Sequence, residues 1–208
     1  EVPSIAIIPF ENKGAEEDVF YAYGISADLI SDCSSAGLIR VASLSDIEKL
    51  DYTNIDNSEL SKKLLVRYVS TGTIWKRDSI FQLSIELYDT KTEKVVWSER
   101  WQKNWTELSL IRDVLAENIL EKLKVDYNTD SPKIALNPDA YEFYLKAIHN
   151  FRKRENKDDA KIAQGLADEA IELDDNLIRA KVFLANTYTE MGDNDKAIEV
   201  LGPALEQA

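Results

Sequence analysis

The spacing of hydrophobic positions divides the chain into two regions with different periodicity. Up to about residue 125, short apolar runs and alternating segments typical of strands are interspersed with helical segments. Beyond about residue 138, apolar residues recur at steps of three and four, the period of a helix. Between the two regions, prolines and asparagines interrupt the pattern. We therefore predict an α+β domain over residues 1–125, a linker over 126–138 and an all-α segment over 139–208.

The first region begins with a predicted strand followed by a helix. "IAIIPF" is a continuous apolar run of strand length, and "VFYAYGISADLISDCSSAGL" has one apolar helical face that ends near Gly37. "IRVAS" predicts a second strand. Two short helices follow, and the positions of polar residues predict that Ser45 caps the first and that Asn57 or Ser58 begins the second.

Three further strands are predicted in succession. "VRYVSTGTIWKR", "IFQLSIELYDT" and "KVVWSERWQK" are rich in β-branched and aromatic residues and are separated by turn-forming residues, which indicates an antiparallel meander. In the middle strand Phe81, Leu83, Ile85 and Leu87 share one face, so we expect one packed and one wetter face. A closing helix is predicted, capped by Thr106, with its apolar stripe at Leu108, Ile111, Leu115, Ile119 and Leu123. The fold class is therefore α+β, with a mixed sheet and packed helices.

The helical region contains two similar segments. Ala163, Ala167 and Ala170, in and just before "GLADEAIELDDN", recur as Ala197, Leu201 and Ala204 in "KAIEVLGPALEQA", and Gly192 suits the turn between two helices. This spacing predicts two tetratricopeptide repeats, as part of an array that continues beyond the chain. The first repeat has four more residues between its helices, which we interpret as an insertion in the charged loop "RKRENKDD".

Repeats of this kind present the side chains of their first helices along a concave groove. Such grooves bind extended or helical peptides, so a protein or peptide is the expected partner. Packing against further repeats or the other domain is the alternative use of the same residues. The predicted partner-binding residues are Tyr141, Tyr144, Ile148, Phe151, Arg179, Val182, Asn186 and Glu190.

Composition limits the classes of partner. The formal net charge of −13 argues against nucleic acid, which requires clustered Lys and Arg. No apolar run is long enough to span a membrane, so we expect no direct membrane insertion. The chain begins with Glu1 and its single methionine is Met191, which suggests a fragment or a processed product. A cytoplasmic location is expected, although the soluble part of a membrane-tethered protein would have the same composition.

Residues that could carry chemistry have structural explanations in the sequence. Cys33 lies among apolar helical positions and predicts a buried thiol, and the single His149 lies on a helix without a neighbouring nucleophile. The acids at 16–18 favour the positive end of the following helix rather than a phosphate or metal site. The four tryptophans are interpreted as packing residues. We therefore predict no catalytic residue, no cofactor and no metal, and this segment is not expected to be an enzyme.

Several motifs of the first region resemble those of the TolB-like amino-terminal domain of bacterial signalling proteins. The resemblance covers about residues 3–124 and includes a strand ending in Pro-Phe, an aromatic–Gly entry into a helix, an Arg-Tyr-Val strand and a Trp-x-Glu-Arg strand. The matching residues are Pro9, Phe10, Phe20, Gly24, Asp28, Leu29, Arg67, Tyr68, Val69, Gly72, Trp97, Glu99 and Arg100. Helical repeats often follow this domain, and the pair typically accompanies a class III adenylate cyclase, a winged-helix regulator or a kinase.

The resemblance implies a non-catalytic regulatory or protein-interaction module of a multidomain signalling protein, with an adenylate cyclase-like output domain favoured. Two alternatives stay open. One is a small-molecule sensor with a pocket between the sheet and its helices. The other is an assembly role, in which an exposed sheet edge forms a homodimer.

Overall fold

A computed structural model describes residues 2–125 and 136–206 of the chain, with side chains as far as residue 202. The chain divides into two compact units, Glu1–Ile134 and Ala135–Ala208. Most of the predicted linker at 126–138 lies outside the described residues, and its last residue, Pro138, already begins a helix. None of the described helices is both long and apolar enough to cross a bilayer.

The first unit is built on a mixed sheet. Its strands are β1 Ser4–Ile7, β2 Glu11–Asn12, β3 Arg40–Val41, β4 Tyr68–Arg77, β5 Ile80–Asp89 and β6 Lys94–Asn104. Their order in the sheet is β3-β1-β4-β5-β6, and β2 also pairs with β4. Strand β1 is parallel to β3 and β4, whereas β4, β5 and β6 form the predicted antiparallel meander.

Four α-helices accompany this sheet in the described part of the first unit. They are α1 Val19–Ser35, α2 Leu44–Glu48, α3 Asn57–Leu64 and α4 Leu108–Lys122. Helices α1 and α4 contact each other and the sheet. The five apolar residues predicted along the last helix are all buried, as expected for its core-facing stripe.

Apolar and polar residues alternate along β5, and the apolar ones face the core. Phe81, Leu83, Ile85 and Leu87 are all buried, while Glu86 on the opposite face is exposed. The prediction of one packed face and one wetter face is therefore confirmed. Gly72 of β4 lies against this layer, because a Cβ atom added there would stand only 2.8 Å from the ring of Phe10.

Two predicted helix caps, Ser45 and Thr106, are each wrong by two residues, whereas the predicted start of α3 at Asn57 is confirmed. Ser43, not Ser45, caps α2 by accepting a hydrogen bond from the Asp46 amide at 3.1 Å. In α3, the capping side chain is that of Asp56, one residue before the predicted start. Each cap lies just outside the first helical residue, where its oxygen reaches the exposed amides of the first turn. Several capping residue types stand side by side here, so composition alone selected the wrong one.

The segment leading into α4 begins earlier than predicted. Asn104, not Thr106, is the cap, and it accepts a hydrogen bond from the Thr106 amide at 3.1 Å. Glu107 in turn accepts one from the Asn104 amide at 3.3 Å, which completes a capping box. A short 3-10 turn at Trp105–Glu107 therefore connects the end of β6 directly to α4.

A buried group of charges joins α1 to α4. Arg112 is 6% exposed, and its guanidinium lies 3.6 Å from Asp28 and 3.4 Å from Asp32. Its Nε also donates a hydrogen bond to Asp113 at 2.9 Å. Because removal of one member would leave buried charge uncompensated, this group fixes how the two helices pack.

The second unit is helical throughout its described residues, as predicted. Its helices are α5 Pro138–Lys153, α6 Lys157–Leu173, α7 Ile178–Glu190 and α8 Asn194–Glu206, and each contacts the next along the chain. Buried small residues line the contacts between them, including Ala147, Ala163, Ala167 and Ala170. Gly192 has a φ of +84° in the turn between α7 and α8, which is the role predicted for it.

The predicted insertion in the charged loop is wrong. Residues 154–156 separate α5 from α6, and residues 191–193 separate α7 from α8, so both turns have the same length. The extra residues instead lie within the helices. Counted from the aligned alanines, α5 continues one residue further than α7, and α6 begins three residues earlier than α8. The side chain of Ala204 lies outside those described.

Candidate interaction surfaces

Strand β6 forms one edge of the sheet. It is eleven residues long, and β5 is the one strand that pairs with it in the described part of the chain. None of its side chains is fully buried, and Val95 and Val96 are each 49% exposed. An edge strand of this kind presents a row of backbone N–H and C=O groups that can pair with another chain.

Two tryptophans lie on the helix-covered face of this edge. Trp97 is opposite Leu87, and Trp101 is opposite Leu83, so both indoles point to the same side as the buried residues of β5. Their ring centroids are 5.9 Å apart, and both side chains are half-buried. The packing predicted for these tryptophans is therefore incomplete in the described structure.

A groove lies between β6 and α4 beside Trp101. It has a volume of about 240 Å³ and is mostly apolar, and we call it the β6 groove; its lining residues are Trp101, Lys103, Glu107, Leu110, Ile111 and Val114. Val114 remains 37% exposed although it is apolar. The groove exists because α4 begins immediately after β6 and covers only part of its face.

The charge of the edge differs from that of the whole chain. Strand β6 carries the basic residues Lys94, Arg100 and Lys103 and the single acid Glu99, whereas the net charge of the chain is −13. Lys103 pairs with Glu107 at 3.2 Å. Hydrogen bonds from Lys103 and from the Asn104 amide hold the pKa of Glu107 below its ordinary value. The edge is therefore a locally basic surface on an acidic protein.

The predicted partner-binding residues of the helical unit fall into two groups. Tyr141, Tyr144 and Phe151 are buried. Ring contacts link Tyr144 and Phe151 through Phe183, at centroid distances of 6.2 and 5.7 Å. In this structure these three aromatics pack among the helices, and a partner could touch them only after a rearrangement.

The other predicted residues are more accessible. Ile148 and Arg179 are half-buried, whereas Val182, Asn186 and Glu190 are exposed. Glu190 forms an ion pair at 2.7 Å with Arg154, a residue that the sequence interpretation did not single out. The Arg154 guanidinium also lies 3.7 Å from the Phe151 ring centroid, so it covers this aromatic from outside. Partner binding at these positions stays a prediction.

Groups considered for chemistry occupy structural positions. Burial, with a smaller contribution from Asp32, raises the pKa of the Cys33 thiol to about 12, so the thiol is protonated at neutral pH. Burial, together with Lys153, lowers the pKa of His149. The acids at 16–18 form a 3-10 turn that leads into α1, and Lys76 lies 3.7 Å from Asp18. No cluster of three or more metal-ligating side chains occurs among the described residues.

The β6 groove was not identified from the sequence. A usable signal was present, because two tryptophans four residues apart in a strand must share a face. The neighbouring valines and basic residues would have marked the same strand as exposed. What the sequence lacked was the position of β6 at the edge, which depends on pairing between distant segments.

Sequence comparison matches the first unit to known proteins. Residues 1–118 match the family described as HilA/YgeH-like transcriptional regulator, second domain. A protein of Rhizobium meliloti (strain 1021) named "Putative adenylate cyclase 3" is 27% identical over 152 residues, which are 70% of this chain and 26% of that protein. The chain thus spans about a quarter of the length of this relative.

Solved structures with partial similarity include TolB from Acinetobacter baumannii, with 19% identity and a TM-score of 0.48 over 62% of this chain and 30% of TolB. Lipoprotein GNA1162 from Neisseria meningitidis has 16% identity and a TM-score of 0.44, over 57% of this chain and 99% of the lipoprotein. PelC from Paraburkholderia phytofirmans has 17% identity and a TM-score of 0.41, over 58% of this chain and 88% of PelC. The family match ends at residue 118, so the tetratricopeptide assignment of the second unit stays a prediction.

Proposed function

Through residues 1–118 the chain belongs to the family of HilA/YgeH-like transcriptional regulators, as their second domain, and from this premise we propose that it is a regulatory, protein-interaction module. In this proposal the parent protein is a bacterial multidomain signalling protein located in the cytoplasm. Its output domain is adenylate cyclase-like, and the second unit of the chain consists of tetratricopeptide repeats. A bound partner changes how the output domain is presented.

One observation carries this proposal: the same sequence matches proteins with different outputs. The first unit matches the second domain of a transcriptional regulator family. The chain also matches a protein named as an adenylate cyclase, of which it spans about a quarter. A module that accompanies different activities is best explained as an element that controls them or connects them to partners.

The geometry supports polypeptide binding over metabolite binding. The β6 groove has a volume of about 240 Å³. Pockets for drug-sized small molecules usually have about 300–1,000 Å³. A groove of the smaller size, beside an exposed strand edge, suits one or two side chains of an extended peptide. In the helical unit, the exposed residues Val182, Asn186 and Glu190 are a second surface that a protein could contact.

The proposal is tested by removing residues 1–208 from the parent protein and measuring the activity of its output domain. We expect the basal activity to change several-fold, because the module biases the output domain between two states. The purified 208-residue chain, incubated with ATP and magnesium, is expected to form no cyclic AMP. Unchanged output after the deletion, or turnover by the isolated chain, would contradict the proposal.

A further inference from the structure

We propose that the β6 groove and the adjoining edge of β6 bind an extended acidic segment of a partner protein, which adds to the sheet as a new strand. This inference rests on the proposed function and deepens it, because it names the class of polypeptide that the module recognises. Its basis is the combination of three features at one place: an unpaired backbone edge, half-buried tryptophans and local basic charge.

The backbone of β6 is long enough for such pairing. Eleven residues in strand conformation extend over about 35 Å, at roughly 3.3 Å per residue. Along this length the described part of the chain provides a partner strand on one side only. An added strand would gain backbone hydrogen bonds that do not depend on its sequence, as in peptide recognition by strand addition.

The tryptophans provide apolar contacts for alternate side chains of the added strand. Trp97 and Trp101 lie on the same face, and Leu110 and Val114 of α4 line the groove beside Trp101. Successive side chains of a strand point to opposite faces, so every second residue of the partner would face these indoles. Apolar residues at those positions would bury surface that is now in contact with water.

Charge selects the other positions of the partner. Arg100 lies on the face opposite to Trp101, is exposed, and donates a hydrogen bond from Nε to Ser84 at 3.2 Å. An acidic residue opposite Arg100 would form a charge-assisted pair across the strands. Glu99 is on the same face as the tryptophans, where apolar partner residues are expected. The preferred segment therefore alternates apolar and acidic residues.

A second copy of this chain is a poorer occupant of the same edge. Antiparallel pairing of two β6 strands would bring two strands, each with three basic residues and one acid, beside each other. Like charges that face each other across strands are destabilising, and each copy also carries a net charge of −13. Of the three basic residues, Arg100 lies on the face opposite the tryptophans, and there it favours an acidic residue of an added strand over the Arg100 of a second copy.

The test uses the 208-residue chain and a synthetic peptide of alternating valine and glutamate, about nine residues long, which matches most of the length of β6. Binding is followed by tryptophan fluorescence, since two of the four tryptophans lie on β6. The matched control peptides replace every glutamate by lysine, or replace the central valine by proline, which removes a backbone donor. We expect saturable binding of the acidic peptide and none of either control.

Variants locate the site. Arg100→Glu is expected to weaken binding of the acidic peptide by about tenfold or more, because it reverses a facing charge. Trp101→Thr is expected to weaken it at least about fivefold through loss of the aromatic contact. Lys62→Glu changes the total charge equally at an exposed site on α3, and it should change affinity by less than about twofold. Circular dichroism confirms that each variant is folded.

Three results would overturn the inference. The first is equal binding of the acidic and basic peptides, and the second is no binding of the acidic peptide. The third is a molar mass of the 208-residue chain, measured by light scattering, that corresponds to a pair of copies. If peptide binding fails but deletion of the module still changes the output of the parent protein, the strand-addition inference is wrong and the regulatory proposal stands. If the deletion has no effect while the peptide binds at β6, the regulatory proposal is wrong and the site itself is established.

Discussion

Strands β5 and β6 are neighbours in one sheet and have similar length and composition, yet their side chains differ in burial. In β5 every second side chain from Phe81 to Asp89 is buried, whereas in β6 no side chain is fully buried. Both strands are rich in β-branched and aromatic residues, so propensity does not explain the difference. Their position in the sheet does, because β5 has a strand on each side and β6 is the edge. In this protein, stability is concentrated at β5 and its neighbours, and the surface available for recognition is at β6.

The largest expected effect comes from comparing an ion pair buried between α1 and α4 with an exposed ion pair at the β6 edge. Arg112→Ala should destabilise the first unit by about 3–5 kcal/mol, because it removes a buried positive charge that lies 3.6 Å from buried Asp28. Lys103→Ala breaks a pair whose side chains are 45% and 41% exposed, and it should leave the unfolding midpoint nearly unchanged. All four tryptophans lie in the first unit, so their fluorescence during urea unfolding reports on that unit. Equal midpoints for the two variants would remove the proposed contrast.

The next effect compares the two strands directly by truncation of apolar side chains. Ile85 of β5 is fully buried, and Ile85→Ala should cost about 2–5 kcal/mol in the free energy of unfolding. Val95 of β6 is half exposed, and Val95→Ala should change this free energy by no more than about 0.5 kcal/mol. The same tryptophan-detected urea titration measures both. A large loss for Val95→Ala would show that β6 contributes to the core after all.

Local pattern was sufficient to predict the centre of this sheet but not its edge. Leu83 and Ile85 alternate with polar residues, and this pattern fits only a strand with a single buried face. Trp97 and Trp101 alternate in the same way, and the sequence likewise predicted them to be packing residues. Whether a strand has one neighbour or two depends on pairing between segments far apart in sequence, and no local pattern contains that information.

In the helices, too, local pattern predicted some features and missed those that depend on distant segments. The buried apolar stripe of α4 followed from periodicity and was correctly predicted. In "LIRDVL" the pattern predicts that Arg112 is an exposed polar residue of a helix. It is buried because α1 lies against α4. In the second unit the surplus of four residues was assigned to a loop because charged residues occur there. They lie within helices instead, one at the end of α5 and three at the start of α6.

A smaller effect is expected from lowering the pH, through the carboxylate of Asp89 at the end of β5. Hydrogen bonds from Arg67 hold the pKa of Asp89 below its ordinary value, with help from the Lys91 amide. Because the folded state holds this carboxylate charged, its stabilising contribution is present above about pH 4 and is lost as the pH falls below that value. Asp89→Asn should cost about 1.5–3 kcal/mol at neutral pH and less at acid pH. Urea titrations of both proteins at neutral and acid pH measure the difference, and a constant difference would contradict the assignment.

The smallest effect concerns Asn104, which ends β6 and caps the segment that enters α4. Asn104→Ala removes the hydrogen bond to the Thr106 amide and should cost about 1 kcal/mol. Thr106→Ala, at the cap position predicted from sequence, should cost less, because the Thr106 hydroxyl accepts no amide hydrogen bond of the first turn in the described contacts. Unfolding midpoints of the two variants decide which residue is the cap. The acidic peptide gives a second measurement on this variant. If Asn104→Ala reduces the free energy of peptide binding by more than it reduces the free energy of unfolding, the capping box positions β6 for recognition as well as stabilising α4.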